Sequence, residues 1–168
     1  MESVHLRLAA LEEADAVWEI LQDAIIQRRQ DGSTQWQNGY PNRQTVLDDI
    51  ARAEGFVLER AGALLAYAAV ITRPEPAYAS IEGQWLSDRP YVVVHRVARA
   101  RQHAGGGIAA ALLQQVETWG AQQGIFSVRL DTNFDNTAML STLKRLGYTY
   151  CGEVEYQGSP RMAFERLL

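Results

Sequence analysis

Residues 99–113 read RARQHAGGGIAAALL. Three consecutive glycines, Gly105, Gly106 and Gly107, stand directly before an apolar run, Ile108 to Leu113, that has the pattern of the first turns of a helix. Glycine is costly in backbone entropy, so three together need a reason. A helix N-terminus gathers unpaired N–H donors and the positive end of the helix dipole. Without Cβ atoms in the way, an anion can approach them. Three explanations compete: the phosphate loop of a phosphotransferase, the turn of a dinucleotide-binding domain, and a cradle for some other diphosphate. A fourth is a helix entry with permissive glycines and no ligand.

A phosphate loop of the GxxxxGK[ST] kind needs a lysine and a hydroxyl after its last glycine. Neither is present here, and that explanation fails. The dinucleotide fingerprint fits better. Gly105, Gly107 and Ala110 match G-x-G-x-x-[GA], and Asp131 ends the next strand, where an acid would meet a ribose. Against it, Arg99 to Ala104 separate the preceding strand from the first glycine, and the remaining chain is too short for a second mononucleotide half. NAD stays the weaker alternative. Permissive glycines account poorly for three where one would serve.

The composition narrows the field. The chain has 168 residues, 47% hydrophobic and 21% charged, which suits one globular domain over 1–168. Its net charge of −4 lacks the basic excess of a nucleic-acid binder. One cysteine, Cys151, excludes an internal disulfide and a CxxC pair, and in YTYCGEVE it reads as a small buried hydrophobe. The histidines His5, His95 and His103 have no metal-ligand spacing, so no metal is expected. The N-terminus, MESVHLRLAALEEAD, lacks the apolar core of a signal peptide. The longest apolar run, Ala61 to Ile71, is too short to cross a bilayer. A cytoplasmic protein without membrane or nucleic-acid partners is the expectation.

The periodicity predicts strands at Val4–Leu8, Gly55–Arg60, Leu64–Thr72, Tyr91–Ala98, Ser127–Asp131, Tyr148–Glu155 and Met162–Leu167. It predicts helices at Leu11–Gln30, Thr45–Ala53, Ile108–Gln123 and Asn136–Leu146, the last two stopped by Gly124 and Gly147. Asp31–Gln44 and Arg73–Pro76 read as loops, and Ala77–Leu86 is ambiguous. The strand–helix–strand–helix–strand middle implies a parallel crossover, and the runs of strands around it imply antiparallel neighbours. Together they predict a mixed sheet with helices on both faces.

Two motifs together carry a resemblance. VARARQHAGGGIAAALL is similar to motif A of the GNAT superfamily, N-acetyltransferases that use acetyl-CoA: a strand, a short connection, [QR]-x-x-G-x-[GA], then a helix. Ala104-Gly105-Gly106-Gly107-Ile108-Ala109 falls on it, with Gly107 and Ala109 on the small positions and Ala104 where the family usually has Gln or Arg. LDTNFDNTAMLSTLKRLGY resembles the following motif, with Asn136 on its asparagine and Gly147-Tyr148 on its Gly-aromatic pair. Leu143 stands where many members carry a tyrosine. QW…GYP, HRVA, DTN.DN, YCG and PR.A further resemble a GNAT subgroup generally without an assigned substrate.

The resemblance implies an α/β (α+β) fold: a mostly antiparallel central sheet of about seven strands, about four flanking helices and a splayed parallel strand pair. It implies that Val97, Ala98 and Arg99 pair with the pantetheine arm, and that Ala104 to Gly107, with Ala109 and Asn136, meet the rest of the cofactor. The Val97 N–H is the expected oxyanion donor, and no metal takes part. Trp36, Tyr40 and Trp85 lie in stretches that would line the acceptor site. The acceptor would be an amine of a small molecule or peptide. Homodimers are common in the family.

Direct attack on a thioester needs a neutral amine and an oxyanion donor. His95 is the first candidate base, because regular alternation puts Val93, His95 and Val97 on one face and Arg96 on the other. Glu82 is the second. Leu143 supplies no acid, but a thiol with a pKa of about 8.5 leaves tolerably as thiolate. The missing acid leaves room for another reading, a non-catalytic acyl-CoA binding or regulatory domain. Arg161, in GSPRMAF, is a candidate to meet a substrate carboxylate.

Overall fold

The computed structural model describes residues 2–103 and 106–168. Among them are eight strands and four α-helices. The strands are β1 (His5–Leu8), β2 (Gly55–Arg60), β3 (Ala63–Ile71), β4 (Glu82–Gly83), β5 (Tyr91–Arg99), β6 (Ser127–Thr132), β7 (Thr149–Tyr156) and β8 (Ser159–Leu167). The helices are α1 (Ala14–Gln30), α2 (Arg43–Ala51), α3 (Ile108–Gln122) and α4 (Thr137–Leu146). The expected class holds: α/β, mostly antiparallel, with one parallel pair.

The chain divides into two compact units. One holds the residues up to Val70 together with Arg96–Gln115; the other holds Ile71–His95 and Val116–Leu168. Strand β5 therefore gives Tyr91–His95 to the second unit and Arg96–Arg99 to the first.

In the first unit β1, β2 and β3 pair antiparallel in that order. Ala61 and Gly62 both have positive φ, the backbone that a two-residue hairpin requires. Val17 and Leu21 of α1, Val46 of α2, Val57 of β2 and Tyr67 of β3 are fully buried in one cluster with Ala98 and Ala100. Leu11, expected on the apolar stripe of α1, is exposed in a 3-10 turn that precedes the helix. Helix α2 begins two residues earlier than the periodicity predicts. Asn42 caps it: its side chain accepts from Thr45 N, and Thr45 Oγ1 accepts from Asn42 N.

Within the second unit the strand order is β5–β6–β8–β7–β4. The parallel register between β5 and β6 covers only Tyr91–Val93 against Ser127–Arg129, so the pair parts early, as a splayed pair should. Strand β4 is the eighth strand; two residues give no periodicity to read. Gly83 lies opposite Gly152 there, and a Cβ on either would stand 2.1 or 2.2 Å from a carbonyl oxygen of the other strand. Pro160 hides the start of β8 from a sequence reading. It is tolerated because the pairing of β8 with β6 begins only at Met162, opposite Thr132, leaving β8 with β7 alone for a partner before that point.

The irregular point of β5 is Arg96, with φ of +57° in mid-strand. Such a conformation costs a residue with a Cβ of the order of 1 kcal/mol or more. Three side chains hold it. Asp49 accepts from Arg96 Nε at 3.0 Å and from Nη2 at 2.7 Å, and Tyr40 Oη accepts from Nη1. The Tyr67 hydroxyl donates to the same Asp49. Burial and the Asp49 charge push the Tyr67 phenol far above its ordinary range, so it stays a donor. Asp49→Ala strips Arg96 and Tyr67 of their acceptor inside the first unit. A loss of about 3–5 kcal/mol in denaturant unfolding is expected; a loss under about 1 kcal/mol contradicts a buried clamp.

Candidate active site

The glycine stretch enters α3. Ala104 and Gly105 lie outside the described residues. Gly107 has φ of +93°, a conformation side chains rarely adopt, and its carbonyl accepts the first bond of the helix from Ala111 N at 2.8 Å. Among the described residues no carbonyl is found to accept from the amides of Ile108, Ala109 or Ala110, the donors that a helix start leaves without intrahelical partners. Nothing lies within 4 Å of where a Cβ would stand on Gly106 or Gly107. The backbone explains glycine at 107. At 106 no atom among the described residues demands it, and the lack of a side chain there leaves room for a ligand to approach the helix start. Arg99 and Arg101 are exposed on the same connection. This donor set, with two cations nearby, suits a diphosphate.

Val97 is half-buried and Ala98 buried, and Ala100 N donates to Leu65 O at 2.8 Å. The expectation that His95 and Val97 share a face assumed unbroken alternation. Arg96 breaks it, because a left-handed residue in a strand re-aims the residues after it. The same turn takes Arg96 out of simple alternation and into its clamp. Tyr40 belongs to that clamp, and its ring lies 5.9 Å from the Arg96 guanidinium carbon. Trp36 packs against the first unit's core from a left-handed backbone of its own.

A second polar cluster occupies the other unit. The His95 side chain is 5% exposed. Its Nε2 lies 3.3 Å from Glu75 Oε2, its Nδ1 lies 3.9 Å from Asp131 Oδ2, and its ring stacks on Tyr156 at 4.6 Å. Glu75 also accepts from Ala77 N, and the contact with His95 holds its carboxyl below the ordinary range. Asp131 does not have a free carboxylate for a ribose: the Tyr78 hydroxyl donates to it at 2.6 Å. Burial and that carboxylate raise the Tyr78 phenol well above its ordinary value. Trp85 donates to Tyr78 O at 3.0 Å and leans on its ring, while the Arg129 guanidinium lies over both Trp85 and Tyr91. Sequence reasoning found His95 and Trp85 but missed Glu75 and Tyr78. Glu75 sits in the proline-rich stretch read as a loop and Tyr78 just after it, and their partners are distant in the chain.

Other candidates fall elsewhere. Glu82 is exposed on β4 opposite Glu153, and no hydrogen bond or ion pair to its side chain is found among the described residues. Asn136 caps α4, its Oδ1 accepting from Met139 N at 3.2 Å. Leu143 is fully buried. Cys151 is buried, with its thiol pushed up by burial. No group of three His, Cys, Asp or Glu placed to hold a metal ion is found among the described residues. No helix among them is long and apolar enough to cross a membrane.

A model of the acetyltransferase (GNAT) family matches residues 15–148. The chain belongs to this family. It is 36% identical to an acetyltransferase of the GNAT family from Streptococcus agalactiae, whose crystal structure superposes with a TM-score of 0.89 over 98% of this chain and 95% of that one. A GNAT acetyltransferase from Listeria monocytogenes shares the fold at 20% identity, with a TM-score of 0.78 over 98% and 95% of the two chains. An uncharacterized N-acetyltransferase, YesJ of Bacillus subtilis, is 28% identical over 86% of this chain and 81% of its own. The chain is therefore an acetyl-CoA-dependent acetyltransferase.

In this acetyltransferase the depressed Glu75 carboxyl has a definite pH signature. Its stabilising pairing is present above the ordinary carboxylate pKa of about 4.3 and fades as the pH falls through the lower folded value. Glu75→Gln is expected to lower stability at neutral pH, with the deficit shrinking in acid. Urea midpoints across that range check it; a deficit that grows toward low pH contradicts the pairing.

Proposed function

We propose that this acetyltransferase moves the acetyl group of acetyl-CoA to a primary amine of a small molecule or peptide by direct attack, as a single domain over 1–168 in the cytoplasm. The observation that carries the cofactor reading is the start of α3: a left-handed Gly107, no side chain at Gly106, and amides at Ile108 to Ala110 for which no acceptor is found among the described residues. Gly106, Gly107 and Ala109, with Ala104 and Gly105 before them, hold the diphosphate. The backbone of Val97, Ala98 and Arg99 holds the pantetheine arm, and Asn136 keeps its expected place beside the cofactor in addition to its cap. A fold neighbour at 17% identity, AAC(6')-Ib, is known in complex with ribostamycin and coenzyme A, which agrees with an amine acceptor and this cofactor.

Bound acetyl-CoA supplies the activated thioester. His95 takes the proton of the acceptor amine, kept in orientation by Glu75 at Nε2 and the Tyr156 ring. Glu82 is the alternative base. The Val97 N–H donates to the oxygen on which charge develops. Trp36, Tyr40 and Trp85 contribute to the acceptor site. With Leu143 buried and apolar, no side chain at that position protonates the leaving thiolate.

That leucine also favours the second reading, a non-catalytic acyl-CoA binder. Calorimetric titration with coenzyme A and with NAD, joined to a thiol-release assay over an amine panel, separates the readings. Binding of coenzyme A alone, thiol release, and a fall in kcat of at least about 100-fold in His95→Gln are expected. Coenzyme A binding without release from any amine supports the binder. NAD binding without coenzyme A contradicts both.

A further inference from the structure

Arg96, Arg129 and Arg161 have side chains only 8%, 6% and 9% exposed. The first two are fully engaged. Arg96 has Asp49 and Tyr40; Arg129 donates to Glu165 at 2.9 Å and to the Ser87 carbonyl, with aromatic rings on its plane. Arg161 is different. No side-chain hydrogen bond from it is found among the described residues, and its Nε is buried without a partner. Its ion-pair partner, Asp131, places Oδ1 3.8 Å from Nη1, beyond hydrogen-bond reach, while the other oxygen, Oδ2, accepts from the Tyr78 hydroxyl at 2.6 Å. Its charge has only this long contact with Asp131 and its Nε has no hydrogen-bond partner; burying a guanidinium so poorly satisfied works against folding, and a bound ligand would account for its place.

The surroundings say what that is. Arg161 and His95 approach the same carboxylate, Asp131, at 3.8 and 3.9 Å. They also share Tyr156, whose ring stacks on His95 and lies 5.9 Å from the Arg161 guanidinium carbon. One side of this cluster thus offers Glu75 and a histidine to an amine; the other offers an unfilled planar fork. A guanidinium edge matches a carboxylate with two parallel bonds.

We propose that Arg161 binds the carboxylate of the acceptor, and that the acceptors of this enzyme are amino acids. This rests on the acetyl-transfer reading and adds its substrate class. The charge pattern suits a zwitterion: ammonium toward Glu75 and His95, carboxylate toward Arg161.

The test is a thiol-release assay with acetyl-CoA on matched acceptors: each standard L-amino acid, its carboxamide and its decarboxylated amine. The amino acids accepted are expected to exceed their own amide and amine in kcat/KM by at least about tenfold. In Arg161→Gln that preference collapses toward parity, mainly through KM. Arg161→Lys, which keeps the charge and loses the fork, falls between. If Arg161→Gln does not fold, the wild-type preference and the lysine variant decide. Amides or simple amines accepted as well as amino acids, or a preference that survives in Arg161→Gln, overturn the proposal and leave acetyl transfer standing. Thiol release from no acceptor, despite coenzyme A binding, overturns acetyl transfer and this proposal with it.

Discussion

The ion pair between Arg96 and Asp49 fixes the backbone where β5 departs from a regular strand. Two hydrogen bonds from one guanidinium to one carboxylate, with Tyr40 on the third nitrogen, hold a non-glycine residue at positive φ. An isolated strand would relax this turn by one peptide rotation. The buried charges make that costly, since flattening Arg96 would leave the Asp49 carboxylate buried without its cation, with only the Tyr67 hydroxyl as donor. The consequence runs along the strand. Residues up to His95 serve one polar cluster, and Val97 to Arg99 serve the backbone that leads into the glycine turn and α3.

The two clusters use their charges differently. Around Arg96, donors and acceptors are matched, and the role is to hold a shape. Around His95, matching is incomplete. Glu75 and Asp131 flank the imidazole, Tyr78 occupies Asp131, and the Arg161 side chain finds no hydrogen-bond partner among the described residues. Incomplete polar satisfaction inside a folded chain calls for an explanation, and the proposed one here is a ligand. The contrast with Arg129, locked between Glu165 and two aromatic rings in the same unit, shows that this fold can satisfy a buried arginine when structure alone requires it.

Much of this was legible in the sequence. The glycines, the apolar stripe of α3 and the spacing to Asn136 and Gly147 announce the family, because they encode backbone requirements that few other residues meet. Turn chemistry such as Ala61-Gly62 is local and readable. The hidden features depend on partners distant in the chain. Nothing near Arg96 signals Asp49, and nothing near His95 signals Glu75 or Asp131. Alternation alone put His95 and Val97 on one face, and a tertiary ion pair removed the premise. Pro160 concealed the beginning of β8 because only the end of β6 makes a proline tolerable there. Asp131, read as a possible ribose ligand from its position at the end of a strand, proves to be the acceptor of Tyr78.

A crystal structure with coenzyme A bound tests the central claim most directly. The expected result is the diphosphate on the amides that open α3 after Gly107, the pantetheine along the backbone of Val97 to Arg99, and Arg96 still at positive φ in its pairing with Asp49. A diphosphate bound away from the glycine turn, or a regular strand through Arg96, would contradict it.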